Sequence, residues 1–310
     1  MRSIAAYPPF VLCAALTLHC GGSSGDAPVS GDDASVDTSV AVDSAPPADT
    51  GATDAPTDVA AEVDAAIDTA PVDPCAGRLV CDDFEKGAVG DKPGKPWVIE
   101  TNKGTALLDA TRAYSGKHSV KVAIDATTTA DTYRRAMLDI NGAPLIPAAG
   151  DSFYGRFMIW TDRIPDKTVH WTIAHGDGPM GGLTATYNYG GMGGLMANYY
   201  RDTTPKVTDC WQTKAQTFPT SAWTCVAYQY DGKNNEMRFW LDGKEVPELH
   251  VVGNTKDDTT CTEKGIDGKW YAPTFANVSV GWESYQHDIG GAHQAWIDDV
   301  ILDDTAIPCP

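Results

Sequence analysis

Arg135, His170, His175, Tyr187 and Tyr199 are residue types that together could move a proton beside a carboxylated sugar. β-Elimination of a uronate needs a cationic or amide group to neutralise the C5 carboxylate. It also needs a His or Tyr base for the C5 proton and a Tyr acid to protonate the leaving O4. Flat aromatic side chains such as Trp160, Trp211, Trp240 and Tyr285 could stack on sugar faces, with or without turnover. Glycoside hydrolysis would instead need paired carboxylates. Glu236, Glu245, Glu248 and Glu283 are available, but no E-x-D-x-E strand sets a pair on one face. Elimination therefore ranks above hydrolysis, beside a non-catalytic binding reading and a purely structural one.

These residues sit in short stretches of strand-like sequence. Ala136, Leu138 and Ile140 are apolar at every second position. The same alternation runs through Phe153, Phe157 and Ile159, through Val169, Trp171 and Ile173, through Met237, Phe239 and Leu241, and through Val278, Val280 and Trp282. Period two with one apolar face describes half-buried strands. Asp231-Gly232, Asn234-Asn235 and Asp242-Gly243 mark the turns. Many short strands over the region 75–310 predict an all-β fold, a two-sheet sandwich or jelly roll. Arg135 falls on the face opposite Ala136 and Leu138, and His170 opposite Val169, Trp171 and Ile173, with His175 ending that strand. A sandwich has two polar faces, and alternation does not say which one carries them. Tyr187 and Tyr199 fall in the Gly-rich segments 181–191 and 193–200, where glycine would permit close approach of a sugar chain.

The N-terminus is an export signal: Arg2, a mostly apolar run from Ile4 to Leu18, then Cys20-Gly21-Gly22-Ser23. Residues 1–20 read as a lipoprotein signal with Cys20 as the lipidated residue, anchoring the chain at an outer membrane or cell surface; plain secretion is the alternative. Residues 21–74 hold eleven Asp and one Glu but no Lys, Arg or aromatic residue, −12 of a formal net charge of −19. Such a segment buries too little apolar surface to offset its chain entropy and reads as a disordered acidic linker, roughly 40 Å in mean span. The acidic balance argues against nucleic acid as a partner and leaves a polysaccharide open. The folded region is expected to act as a monomer.

Cys75, Cys81, Cys210, Cys225, Cys261 and Cys309 are an even set in an exported chain, without CxxC or HExxH, and are read as disulfides rather than a zinc site. Cys75 with Cys81, Cys210 with Cys225 and Cys261 with Cys309 is one plausible set among the 15 pairings that six cysteines allow.

Five segments carry a family resemblance: Cys81-Asp-Asp-Phe-Glu85, Thr111-Arg-Ala-Tyr-Ser-Gly116, Asn235-Glu-Met-Arg-Phe-Trp-Leu-Asp-Gly243, Gly281-Trp-Glu-Ser-Tyr-Gln286 and Trp296-Ile-Asp-Asp-Val300. Together they resemble a family of secreted β-jelly-roll proteins that includes a cellulose-induced fungal secreted protein and, more distantly, the glucuronan lyases. The resemblance spans nearly all of 75–310. It implies a concanavalin A-like jelly roll, a polysaccharide groove and a structural Ca²⁺. The ion would be held by Glu85 or Asp83, by Asp298 or Asp299, and by oxygens around Ser115 to Lys117. Paired Asp residues protecting an edge strand are the alternative.

Overall fold

The computed structural model describes residues 73–126, 133–203, 206–253, 261–262, 270–285 and 291–310. The signal segment, Cys20 and the linker up to residue 72 lie outside the described residues. In chain order the strands are β1 (Val80–Asp82), β2 (Val98–Asn102), β3 (Gly104–Asp109), β4 (Ser119–Ile124), β5 (Arg134–Ile140) and β6 (Ser152–Thr161). There follow β7 (His170–Met180), β8 (Leu183–Gly191), β9 (Leu195–Thr203), β10 (Lys206–Lys214), β11 (Trp223–Asp231) and β12 (Glu236–Leu241). The last are β13 (Lys244–Glu245), β14 (Val251–Val252), β15 (Cys261–Thr262), β16 (Asn277–Tyr285) and β17 (His293–Asp303).

They form two antiparallel sheets. The first runs β13-β12-β11-β6-β17-β4-β3, with β1 beside β17 and β14 beside β12. The second runs β15-β10-β9-β8-β7-β16-β5-β2. This is the all-β, two-sheet sandwich that the alternation predicts.

The core lies between the sheets. Phe153, Phe157, Ile159, Tyr228, Met237 and Phe239 enter it from the first, and Ala136, Leu138, Ile140, Trp171, Val280 and Trp282 from the second. Trp171 and Trp282 stack at 5.1 Å and 10°, an offset contact worth about 1 kcal/mol beyond its buried area. The Asp242-Gly243 turn forms as expected between β12 and β13, both residues at positive φ, as a tight hairpin requires. Gly190 and Gly191 serve the core rather than a sugar chain. A Cβ on Gly190 would meet the Trp171 carbonyl oxygen at 1.9 Å, and one on Gly191 the Trp171 indole at 2.4 Å.

One irregularity governs the outer face of the second sheet. The register between β7 and β8 shifts between Thr172 and Ala174, and that between β16 and β7 shifts between Val280 and Glu283. At this bulge Ile173 and Ala174 both join the core, so the inside–outside alternation changes phase. His170 and His175 are five residues apart and would face opposite ways in a regular strand; the bulge turns both outward.

Cys75 pairs with Cys81, as expected, while Cys225 pairs with Cys309. Cys210 is also disulfide-bonded, and its register partner is Cys261. The expected bridges Cys210–Cys225 and Cys261–Cys309 are thus corrected. Cys225 and Cys210 belong to different sheets, whereas the tail after β17 returns across β11 and brings Cys309 to Cys225.

Candidate functional site

Seven strands of the second sheet contribute to a polar cleft on its outer face. Its centre is Arg135 on β5. The guanidinium donates to Glu283 Oε2 at 2.6 Å, to Asp139 Oδ1 at 3.3 Å, to Ser279 Oγ at 3.3 Å and to the Tyr133 hydroxyl at 3.3 Å. Glu100 on β2 comes within 3.4 Å of its Nε, and Tyr133 donates to Glu283 at 2.9 Å. Arg135 is buried, so its charge is spent on three carboxylates. Sequence reasoning places Arg135 as a neutraliser of substrate; the structure makes it the hub that holds β2, β5 and β16 together.

A second chain of hydrogen bonds crosses β7, β8, β9 and β10. Asn198 donates to Asp209 Oδ1 at 2.7 Å, Asn188 donates to Asn198 Oδ1 at 3.4 Å, and Asn188 Oδ1 faces His175 Nδ1 at 2.7 Å. His175 Nε2 faces Asp177 Oδ2 at 2.6 Å. A backbone carbonyl only accepts, and Asn198 Nδ2 also donates to that of Cys210 at 3.0 Å, which fixes the amide orientation of Asn198 and through it that of Asn188. His175 is left to donate from both nitrogens, as an imidazolium. Burial alone would lower its pKa, but the hydrogen bond and charge of Asp177 outweigh it and hold it above the ordinary 6.5. Burial likewise raises Asp177, and His175 outweighs that to leave it below 3.8. With both nitrogens committed, His175 has no lone pair to take a proton, which corrects its expected role as a base.

His170 stands differently. Its Nδ1 lies 2.6 Å from the Tyr285 hydroxyl, the two rings edge to face. Burial pushes its pKa down to about 4, so the imidazole is neutral. Tyr285 is pushed up by burial first, then by the charges of Asp209 and Glu283. Arg135, Asp139, His170, Asn198 and Ser279 are buried although they point away from the core, so this face of the sheet is recessed. Tyr133 and Tyr200 remain exposed, and Trp211 half-buried, on the same face.

The other expected site residues lie elsewhere. Tyr187 and Tyr199 are wholly buried between the sheets, 5.9 Å apart among Tyr230, Phe275 and Trp270. They are core residues, because β8 and β9 turn Asn188 and Asn198 outward instead. Trp160 and Trp240 belong to the outer face of the first sheet, away from the cleft. Trp160 is sandwiched between Arg112, 3.6 Å from its ring, and the edge of Trp296. Trp240 lines a cavity of about 570 Å³ with Tyr154, Arg238 and Ile307. Of the expected aromatic platforms, Tyr285 and Trp211 are on the cleft face. Sequence reasoning missed Asn188, Asn198, Asp177, Asp209 and Ser279; the outward direction of Ser279 was legible from its alternation with Val278 and Val280.

The expected calcium residues meet around one loop on the first sheet. Glu85 Oε1 accepts the backbone N–H groups of Lys117 and His118 at 2.6 and 2.7 Å. Asp298 accepts those of Tyr114 and Ser115, and Ser115 Oγ donates to Asp299 at 2.7 Å. Burial, then the adjacent Asp299 charge, raises Asp298 to about 7. No cluster of three His, Cys, Asp or Glu side chains forms a metal site among the described residues.

A family model described as "Polysacc_lyase-like: Cip1-like, core domain" matches residues 83–305. Among solved structures the chain is similar to "Cellulose induced protein, Cip1", at 24% identity and a TM-score of 0.55, covering 74% of this chain and 100% of that one. It is also similar to an endo-β-1,4-glucuronan lyase from the fungus Trichoderma reesei, at 15% identity and a TM-score of 0.47, covering 71% and 95%. No curated protein matches the chain.

Proposed function

Because the chain belongs to the Cip1-like family of polysaccharide lyase-like proteins, we propose that its cleft binds a uronate-containing polysaccharide and cleaves it by β-elimination. The observation that carries this reading is the His170–Tyr285 pair, a neutral imidazole 2.6 Å from a phenol. Tyr285 passes its proton to His170 Nδ1 as its oxygen takes the C5 proton of the sugar. The pair then returns a proton to O4 as the C4–O4 bond breaks and the C4–C5 double bond forms. Net, one proton moves from C5 to O4, and neither water nor an oxidant is consumed. Tyr133, Tyr200 and Trp211 offer faces on which neighbouring sugars can stack.

Calcium belongs to the same reading in a structural role. Glu85, Asp298, Asp299 and the carbonyls around Ser115 would hold it, and the ion would neutralise a carboxylate cluster that otherwise opposes its own burial. These residues belong to the sheet opposite the cleft, so a bound ion would brace β17 against the loop that precedes β4. The disulfides suit an oxidising compartment, which agrees with export and with tethering through Cys20.

The test is to incubate the full chain, with calcium, against several polyuronates, each as the free acid and as the methyl ester, and follow the ultraviolet absorbance of the unsaturated product. Tyr285→Phe and His170→Gln should each lower the rate by about 10²-fold or more. A flat trace on every polymer, with retained binding, would replace the reading by a non-catalytic polysaccharide-binding one. Full activity in Tyr285→Phe would remove the pair from the mechanism.

A further inference from the structure

The charges of the cleft specify the form in which the sugar carboxyl arrives. Four carboxyl groups converge there from four strands: Glu100 on β2, Asp139 on β5, Glu283 on β16 and Asp177 on β7. Among the described side chains of this face the cations are Arg135 and His175, and both are spent. Arg135 is buried and bonded to Glu283 and Asp139, with Glu100 beside it. His175 donates from both nitrogens, to Asp177 and Asn188. His175 has no donor left, and the one Arg135 donor without a hydrogen bond, Nε, is buried and faces Glu100 at 3.4 Å, so neither presents a donor to a carboxylate at C5 of a bound sugar. A free polyuronate would enter a field of its own sign, and among the described residues no cation presents itself to the second negative charge that builds up as the C5 proton leaves.

We propose that the cleft takes a uronate polymer whose carboxyl groups are masked as neutral esters. The proposal rests on the elimination reading above. An ester carries no charge to be repelled. It also acidifies the C5 proton by itself, since the developing carbanion delocalises into a neutral carbonyl and no dianion forms. The second amide hydrogen of Asn188, whose first goes to Asn198 Oδ1, is the neutral donor such a carbonyl needs. Elimination then requires what the cleft holds, a Tyr–His proton pair, and not a free cation.

The experiment measures binding of the full chain to methyl-esterified polygalacturonate and polyglucuronate, to the same two stocks after saponification, and to a neutral β-glucan. The product absorbance is followed in parallel. The expected result is binding of an esterified form about tenfold or more tighter than its saponified partner at low salt, a gap that narrows as salt screens the carboxylates. Glu100→Gln should narrow it as well, checked for native fold by circular dichroism. Equal or tighter binding of the free acid overturns the proposal, as do equal binding of the neutral glucan and absence of binding to every polyuronate. The elimination reading fails separately, if an ester binds and no unsaturated product appears.

Discussion

His170 Nδ1 and the Tyr285 hydroxyl meet at 2.6 Å across the β7–β16 pair. The imidazole is neutral because burial lowers its pKa to about 4. The acid limb of the cleavage rate should therefore lie near pH 4, where His170 gains a proton and stops accepting one from Tyr285. The same shift has a stability consequence. The folded pKa is below the unfolded value of 6.5, so the unfolded chain binds more protons between the two, and stability falls as pH drops from 6.5 toward 4. A pH–rate profile beside thermal unfolding at matched pH checks both; an acid limb near 6.5 would contradict the burial argument.

Arg135 holds three carboxylates, so its removal leaves buried charge without a partner. Arg135→Met should cost about 3–5 kcal/mol of stability, measured by urea unfolding. Glu283→Gln should cost less, because Asp139 and Glu100 still face the guanidinium. A neutral outcome for Arg135→Met would mean that the hub contributes nothing to holding β2, β5 and β16.

The His175–Asp177 pair should contribute stability over a bounded pH window. His175 is raised above 6.5, so its contribution is full below 6.5 and is lost as pH rises through the higher folded value. Asp177 is lowered below 3.8, so its contribution is present above 3.8 and is lost as pH falls through the lower folded value. The stability gap between wild type and His175→Asn should be widest between about pH 4 and 6.5 and should close under alkaline conditions. A gap that does not change with pH would rule out the imidazolium.

The Cys225–Cys309 bridge spans 84 residues of sequence. Replacing both cysteines by serine should cost about 4 kcal/mol through the freed unfolded chain, read from denaturant unfolding. The tail that carries Ile307 against the cavity beside Trp240 should lose its protection from proteolysis before the core does.

Calcium at Glu85, Asp298 and Asp299 would stabilise the folded chain by about 2.7 kcal/mol at a concentration a hundredfold above its dissociation constant. A chelator should lower the melting temperature of wild type and leave Asp298→Asn unchanged. An equal response in both proteins would place any bound calcium elsewhere.

The sandwich was legible in the sequence because burial on one face imposes period two, as in Ala136-Leu138-Ile140 and Val278-Val280-Trp282, and because tight turns demand residues such as Asp242-Gly243. The outward direction of Arg135 and His170 followed from the same alternation. Tyr187 and Tyr199 were misplaced for a local reason: a Tyr satisfies either face, and only the sheet decides which one, here sending Asn188 and Asn198 outward. Long-range partners were beyond sequence reach, since the bridge from Cys225 to Cys309 depends on where the tail returns after β17. The bulge at Ile173 was decisive and carried no sequence mark. An extra residue in one strand shifts every later side chain to the other face, so two histidines an odd number of residues apart share one cleft. Sequence alone determined which residues could form strands and which chemistry they could carry. Tertiary structure decided which of them face each other, because register and bulge arise from pairing between strands and not from any one of them.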